Sequence, residues 1–503
     1  MTQEDTATSQ PARSGTRPDD DYQPDPQRWK ALGVCLVAGF MSLLDVSIVN
    51  VALPSIRDGL HASASDLQWV VSGYALAFGL VLVPAGRLGD ARGRRAVFIV
   101  GVALFTLASA ACGLAVGPVM LAIARLAQGV GGGLINPQTS GFIQELFRGA
   151  ERGKAFGILG ATIGLSTAVG PLAGGGLIAA FGTADGWRAV FFVNVPVGIV
   201  AVLMARRLLP RGGDPSRHQS LDPVGVVLLG LGVLALLLPL VEEQTWKGSA
   251  KWLLVPVAVV LLAAFALWER AYKRRGQTPM VDVTLFTERS YTAGSGIALV
   301  YFAGFTAIFF VLALFLQSGR AYSAWESGLA VTPFALGSAV AAALAGRVVT
   351  RLGRPLVAGG LVMVAVGLVL TDVAIALVDG RSVGFWTALP LLVAGIGSGA
   401  VISPNITLTL SEVPVRMAGS AGGVLQTAQR VGSAVGIAAV GSVFFAHLSA
   451  TRGDWGSATG VALRLCTAGV LLATVLAVVD VVGQRRQDHR AAQAAGQSSP
   501  SGS

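Results

Sequence analysis

Two residues of opposite charge, Asp45 and Arg125, stand alone inside long apolar stretches of this chain. Asp45 precedes Pro54 by nine residues and Arg125 follows Pro118 by seven, which at 1.5 Å of helical rise per residue puts them about 13 Å and 10 Å from the nearer end of their runs. An ionised side chain near the middle of a bilayer costs roughly 2.5–3.5 kcal/mol. Each must therefore face a cavity or each other, and similar depth allows the second. A carboxylate so placed can take up and release a proton or hold a cation. Arg430 is a further buried charge, thirteen residues past Met417 and beside Gln426 and Gln429, with no partner legible in the sequence. Arg464 lies nearer the outer end of its run and is expected to snorkel to the interface.

Other chemistries find little support. Cys35, Cys112 and Cys466 fall in apolar runs and read as small hydrophobes. His61, His218, His447 and His489 have no metal-ligand spacing, so no metal site is expected. The Gly153-Lys154 pair is followed by Ala155, not by the Ser or Thr of a phosphate-cradling loop. No Gly-x-Ser-x-Gly or Cys/His constellation suggests an enzyme, and no cofactor is implied.

The elements that must position the charges are membrane helices. Of 503 residues, 53% are hydrophobic and only 13% charged, more apolar surface than a soluble core can bury. Runs of about 20 apolar residues recur along the chain, and within hydrocarbon only helices or closed barrels satisfy their own backbone. The runs lack the alternation of a barrel, so an all-helical polytopic protein follows. Fourteen spans are expected, at about 30–53, 67–86, 96–116, 119–141, 154–180, 190–208, 223–241, 252–268, 291–316, 328–350, 355–377, 385–410, 418–445 and 459–482. With a cytoplasmic N-terminus, 27 of the 37 Lys and Arg fall in internal segments, 7 in external loops and 3 within spans. That bias places both termini inside, and it accounts for the net charge of +10 without nucleic acid. Arg outnumbers Lys 32 to 5, the signature of a high-G+C bacterial genome. Residues 1–28 and 484–503 read as disordered cytoplasmic tails.

An internal repeat divides the chain. At an offset of 266, Gly153, Gly157 and Gly170 align with Gly419, Gly423 and Gly436. The loop from Gly86-Arg87 to Gly93-Arg94 echoes that from Gly346-Arg347 to Gly353-Arg354, and Asn136-Pro137 is matched by Ser403-Pro404. Two related six-helix halves result, residues 29–209 and 290–483, separated by 210–289 with two extra spans.

Five stretches, in order, resemble a known family: Leu44-Asp45 with Val49-Asn50-Val51-Ala52-Leu53-Pro54; Gly86-Arg87-Leu88-Gly89-Asp90-Ala91-Arg92-Gly93-Arg94-Arg95; Arg125-Leu126-Ala127-Gln128-Gly129; Gly170-Pro171-Leu172-Ala173-Gly174-Gly175; and Trp187-Arg188 with Asn194-Val195-Pro196-Val197-Gly198. The chain thereby resembles the fourteen-span drug:proton antiporters of the major facilitator superfamily. The resemblance implies two pseudo-symmetric halves, alternating access and a bacterial plasma-membrane location. It implies export of a drug or antibiotic, lipophilic and suited to Asp45 if cationic, in exchange for protons. It makes Asp45, Asn50, Arg125, Gln128 and Arg430 candidates for proton coupling and the substrate cavity. It makes Gly86, Asp90, Gly93 and Arg94 a latch between the halves, and Gly170, Pro171, Gly174 and Gly175 an antiporter kink or tight seam. The family glycine four residues before Gly170 is here Ser166. The expected partners are the small molecule, protons and lipid, and the expected state is a monomer. An exporter of an endogenous metabolite, such as an amino acid or a siderophore, and a channel or receptor stay open as alternatives.

Overall fold

The computed structural model describes residues 24–182, 185–211, 222–242, 246 and 248–497. Among them are fourteen helices long and apolar enough to cross a membrane. They are α1 (Arg28–Leu60), α2 (Ala64–Arg92), α3 (Arg94–Gly113), α4 (Pro118–Leu146), α5 (Gly149–Phe181), α6 (Gly186–Leu208, interrupted at Val193), α7 (Pro223–Val241), α8 (Leu254–Arg274), α9 (Arg289–Leu314), α10 (Ala324–Leu352), α11 (Arg354–Leu377), α12 (Ala388–Thr409), α13 (Ala418–Ala450) and α14 (Trp455–Gln497). Each expected span falls on one of these helices, with 96–116, 252–268, 291–316 and 385–410 overrunning a helix end by one to three residues, and most helices run beyond the apolar stretch. The hydrogen-bonded ladder does not stop where hydrophobicity does, and Arg and polar residues extend it past the lipid. The same reason corrects the C-terminal tail. Residues 484–497, expected to be disordered, continue α14 as helix to Gln497, as the Gln, Arg and Ala there favour. Residues 1–23 and 498–503 lie outside the described residues.

The repeat seen in sequence is a repeat of packing. In the first half α2 and α3 pack on α4, α1 on α5 and α6, and α3 on α6. In the second, α10 and α11 pack on α12, α9 on α13 and α14, and α11 on α14. Every pairing recurs eight helices later. Even the helix starts match: Ser63 and Asp66 form a capping box on α2, and Ser323 and Glu326 form one on α10.

The halves meet along two seams, α5 against α10 and α2 against α13. Each seam is made close by a pair of glycines. A Cβ on Gly86 would strike the Gly419 carbonyl, and a Cβ on Gly346 would lie 2.5 Å from that of Gly153. No larger residue permits that approach. The inserted pair, α7 and α8, packs on itself, and α7 also touches α2 and α13 beside one seam. Leu229, Val233 and Leu237 of α7 share an apolar cluster with Leu76 and Val83 of α2.

Candidate functional site

Asp45 sits midway along α1 and is fully buried, with Arg125 of α4 only 2% exposed. The two make an ion pair at 2.5 Å. Gln128, one turn after Arg125, donates to the Asp45 carboxylate at 2.8 Å and accepts from Arg125 at 2.7 Å. Asn194, at the restart of α6, donates to the same carboxylate at 3.1 Å and to Ser109 on α3 at 3.1 Å. Arg125 spends a further donor on the Val70 carbonyl and lies 4.3 Å from the Tyr74 ring centre. One carboxylate thus fastens α1 to α4 and α6, with its negative charge opposed by one guanidinium and two amides. In a low-dielectric interior such a network is stable only when each member is satisfied.

Asn50 and Arg430 stand apart from that network. Both line a cavity of about 60 Å³ together with Val46, Tyr74, Phe78 and Arg125. Arg430 reaches it from α13 in the opposite half, its guanidinium 4.6 Å from the Phe78 ring centre. Tyr74 and Phe78, one turn apart on α2, stack at 5.9 Å between the two arginines. Asp45 does not line this cavity. The Asp45 carboxylate is bonded by Arg125, Gln128 and Asn194.

Asp90 lies at the end of α2 and crosses the seam. Its carboxylate accepts the backbone N–H groups of Gly419 and Ser420 at 3.0 and 2.8 Å, capping the N-terminus of α13, where helix dipole and unsatisfied donors favour a negative charge. Arg94 holds the carboxylate from the other side at 2.9 Å and also binds Glu145 and the Val415 carbonyl, each at 2.6 Å. Gly93 joins α2 to α3 at φ +99°, a conformation open to glycine. In the second half Thr350 occupies the place of Asp90. The seams are alike in their glycines and unlike in charge.

Gly170 and Gly174 form the seam with α1. A Cβ on Gly170 would strike Ser47, and one on Gly174 would lie 3.0 Å from Ile48. Gly175 turns away, with Trp325 of α10 at 3.8 Å from its Cβ position, and Pro171 packs against Gly328 of α10. The helix runs unbroken from Gly149 to Phe181 through Pro171, so close approach is the visible outcome of this motif. Ser166 is buried and donates to the Ile163 carbonyl at 2.8 Å.

This arrangement of two six-helix halves is shared with known proteins. The sequence model of the Major Facilitator Superfamily matches residues 35–437. The chain belongs to the major facilitator superfamily. It is 38% identical to a probable actinorhodin transporter of Streptomyces coelicolor, over 88% of this chain and 78% of that protein. It is 33% identical to the tetracenomycin C resistance and export protein of Streptomyces glaucescens, over 82% and 75%. The fold resembles that of a proton:xylose symporter of the same superfamily, with a TM-score of 0.64 at 16% identity, covering 89% of this chain and 94% of that one. Membership makes this chain a transporter, built as two pseudo-symmetric six-helix halves with two inserted helices.

Sequence reasoning missed several polar contacts of this transporter. Asn194 appears in sequence only as part of a motif, and nothing local marks it as a ligand of Asp45. Asp372 on α11 pairs with Arg464 at 2.8 Å, so that arginine has a carboxylate where snorkelling alone was expected. The overlooked signal is an acid within an apolar run, as telling as an arginine. Asp480 likewise holds Arg289 and Arg354 at 3.2 and 3.0 Å, tying α14 to α9 and α11.

Proposed function

We propose that this transporter exports a lipophilic antibiotic or drug across the bacterial plasma membrane in exchange for protons, with both termini in the cytoplasm. The observation that carries the coupling is the Asp45–Arg125 pair with Gln128 and Asn194, the buried acid–base cluster of the first half. Protonating Asp45 removes the charge that fastens α1 to α4 and α6, and so shifts the balance between packings of these helices. The proton acts through helix packing, and the drug has no need to compete for the same oxygen atoms.

Orientation is supported by loop charge. The glycine seams, Asp90 and the ends of α2 and α4 lie on the face that carries both described chain ends, where Lys and Arg are concentrated. Asp90 on the α13 N-terminus closes that face, and breaking its bonds is required for the cavity to open inward. The names of the relatives support an antibiotic as cargo. No residue set favours an amino acid or a siderophore, and the paired halves with a mid-depth ionised cluster favour a carrier over a channel.

The test is transport in proteoliposomes of the purified chain, with a susceptibility panel in a pump-deficient host to find the cargo. An imposed pH gradient alone should drive accumulation, and a protonophore should abolish it. Accumulation that required ATP and persisted with protonophore would refute the proposal.

A further inference from the structure

Arg430 has neither a carboxylate nor a hydrogen-bond partner among the described residues. Its contact is the face of Phe78, 4.6 Å away, and it lines the cavity between the halves with Arg125. Charge can be counted directly. On α1, α2, α4, α5, α9, α10, α12 and α13, the only Asp, Glu, Lys or Arg residues more than six positions from a helix end are Asp45, Arg125 and Arg430. Asp45 balances Arg125, which leaves one guanidinium in excess. No acid lines the cavity, whose walls include the stacked rings of Tyr74 and Phe78 and the amide of Asn50.

We infer that the cavity binds an aromatic anion, a carboxylate or an ionised phenol, with Arg430 as its counter-ion. Guanidinium is suited to such a group because its planar fork donates two parallel hydrogen bonds to a pair of oxygens. Arg430 already lies over a ring, its guanidinium carbon 4.6 Å from the Phe78 ring centre. The space of about 60 Å³ holds only the anionic group in this conformation, and the aromatic body is accommodated against Tyr74 and Phe78, with Asn50 as a neutral polar contact, as the halves part. A cation in the same place would meet two guanidinium groups and no exposed carboxylate, and like charge at short range rejects it. Arg430 is a specificity-determining residue by this reading, and Asp45 acts on the opposite side of Arg125 without touching the cargo. The inference deepens the export proposal and takes from it only the direction of transport.

The test is equilibrium binding to the full chain in lipid nanodiscs, which requires no transport. Three probes share one ring system: anthraquinone-2-carboxylate, its methyl ester, and the anthraquinone bearing a trimethylammoniomethyl group at that position. Empty nanodiscs subtract partitioning into lipid. The carboxylate should bind about tenfold to a hundredfold more tightly than the ester, and the cation more weakly than either. Arg430→Gln should remove the preference for the carboxylate by weakening its binding far more than that of the ester, whereas Arg430→Lys should retain part of it. Ester binding also reports that each variant is folded, and if Arg430→Gln fails to fold the Lys variant and the probe series decide the matter. Equal or tighter binding of the cation overturns the inference, as does an Arg430→Gln variant that still prefers the carboxylate. Proton-driven export with a cation-preferring site would sink this inference alone, while anion-preferring binding without proton-driven export would sink the export proposal alone.

Discussion

The carboxylate of Asp90 accepts the backbone N–H of Gly419 at 3.0 Å across the seam between the halves, and no side chain of α13 takes part in that bond. Charge and geometry are both demanded of position 90. Asp90→Asn keeps the shape and loses the charge that answers the helix N-terminus and Arg94. Turnover should fall by about tenfold or more while drug binding changes by less than about twofold, because a latch biases conformations without meeting the ligand. Initial rates in proteoliposomes, set beside equilibrium binding, check this. Wild-type turnover would reduce the cluster to a topology signal.

Gly170→Ala places a methyl group against Ser47, on a helix that has no room to retreat because its other side meets α10. Overpacking of this kind costs typically 1–3 kcal/mol. Transport should be largely lost, and Ser47→Gly in the same chain should restore part of it by clearing the hydroxymethyl group. A double mutant no better than Gly170→Ala would mean that the seam with α1 is not what the glycine serves.

Asp45→Asn should abolish uphill efflux and its dependence on external pH, and because it strands the buried Arg125 without its anion it should also lower membrane abundance. Arg125→Ala is expected to lower abundance as well. It leaves a buried carboxylate without its cation, a loss of about 3–5 kcal/mol in comparable pairs. Asp45→Asn combined with Arg125→Gln should recover abundance but not transport. Quantitative immunoblots beside efflux assays separate the two effects.

Electrogenicity follows from cargo charge. If one proton enters per cycle, export of a monoanion moves two charges in the same sense, and export of a monocation moves none. An inside-negative potential should therefore accelerate export of anthraquinone-2-carboxylate at zero pH gradient. Proteoliposomes with a potassium diffusion potential provide the measurement, and a rate indifferent to potential would contradict an anionic cargo.

Fusions after Arg211 and after Lys273 should report the same side of the membrane, because α7 and α8 between them cross it twice. Opposite sides would remove one inserted helix from the count.

Sequence by itself determined the helices and their duplication. Solvent dictates them: a segment of some twenty apolar residues in lipid has to satisfy its own amides, so span positions can be read along the chain with no knowledge of neighbours. The glycine echoes of Gly153 with Gly419 and Gly86 with Gly346 were equally legible, as were the isolated charges Asp45, Arg125 and Arg430. Where helices ended was less so, because past the lipid edge propensity replaces hydropathy, as in α14 beyond Gly483.

Only the tertiary structure decided which charges meet. Asp45 and Arg125 are eighty residues apart and share a depth, but depth alone does not choose a neighbour around the bundle. Asn194 joins them from α6, and Asp372 finds Arg464 from α11, because helix rotation and seam packing set which faces oppose. The same packing left Arg430 without an acid and turned Asp45 away from the cavity. Those two outcomes are the ground on which an anionic cargo is inferred, where Asp45 in the sequence had suited a cationic one. Pairing among side chains is a property of helix faces brought together by many small contacts, and no one of those contacts is written locally.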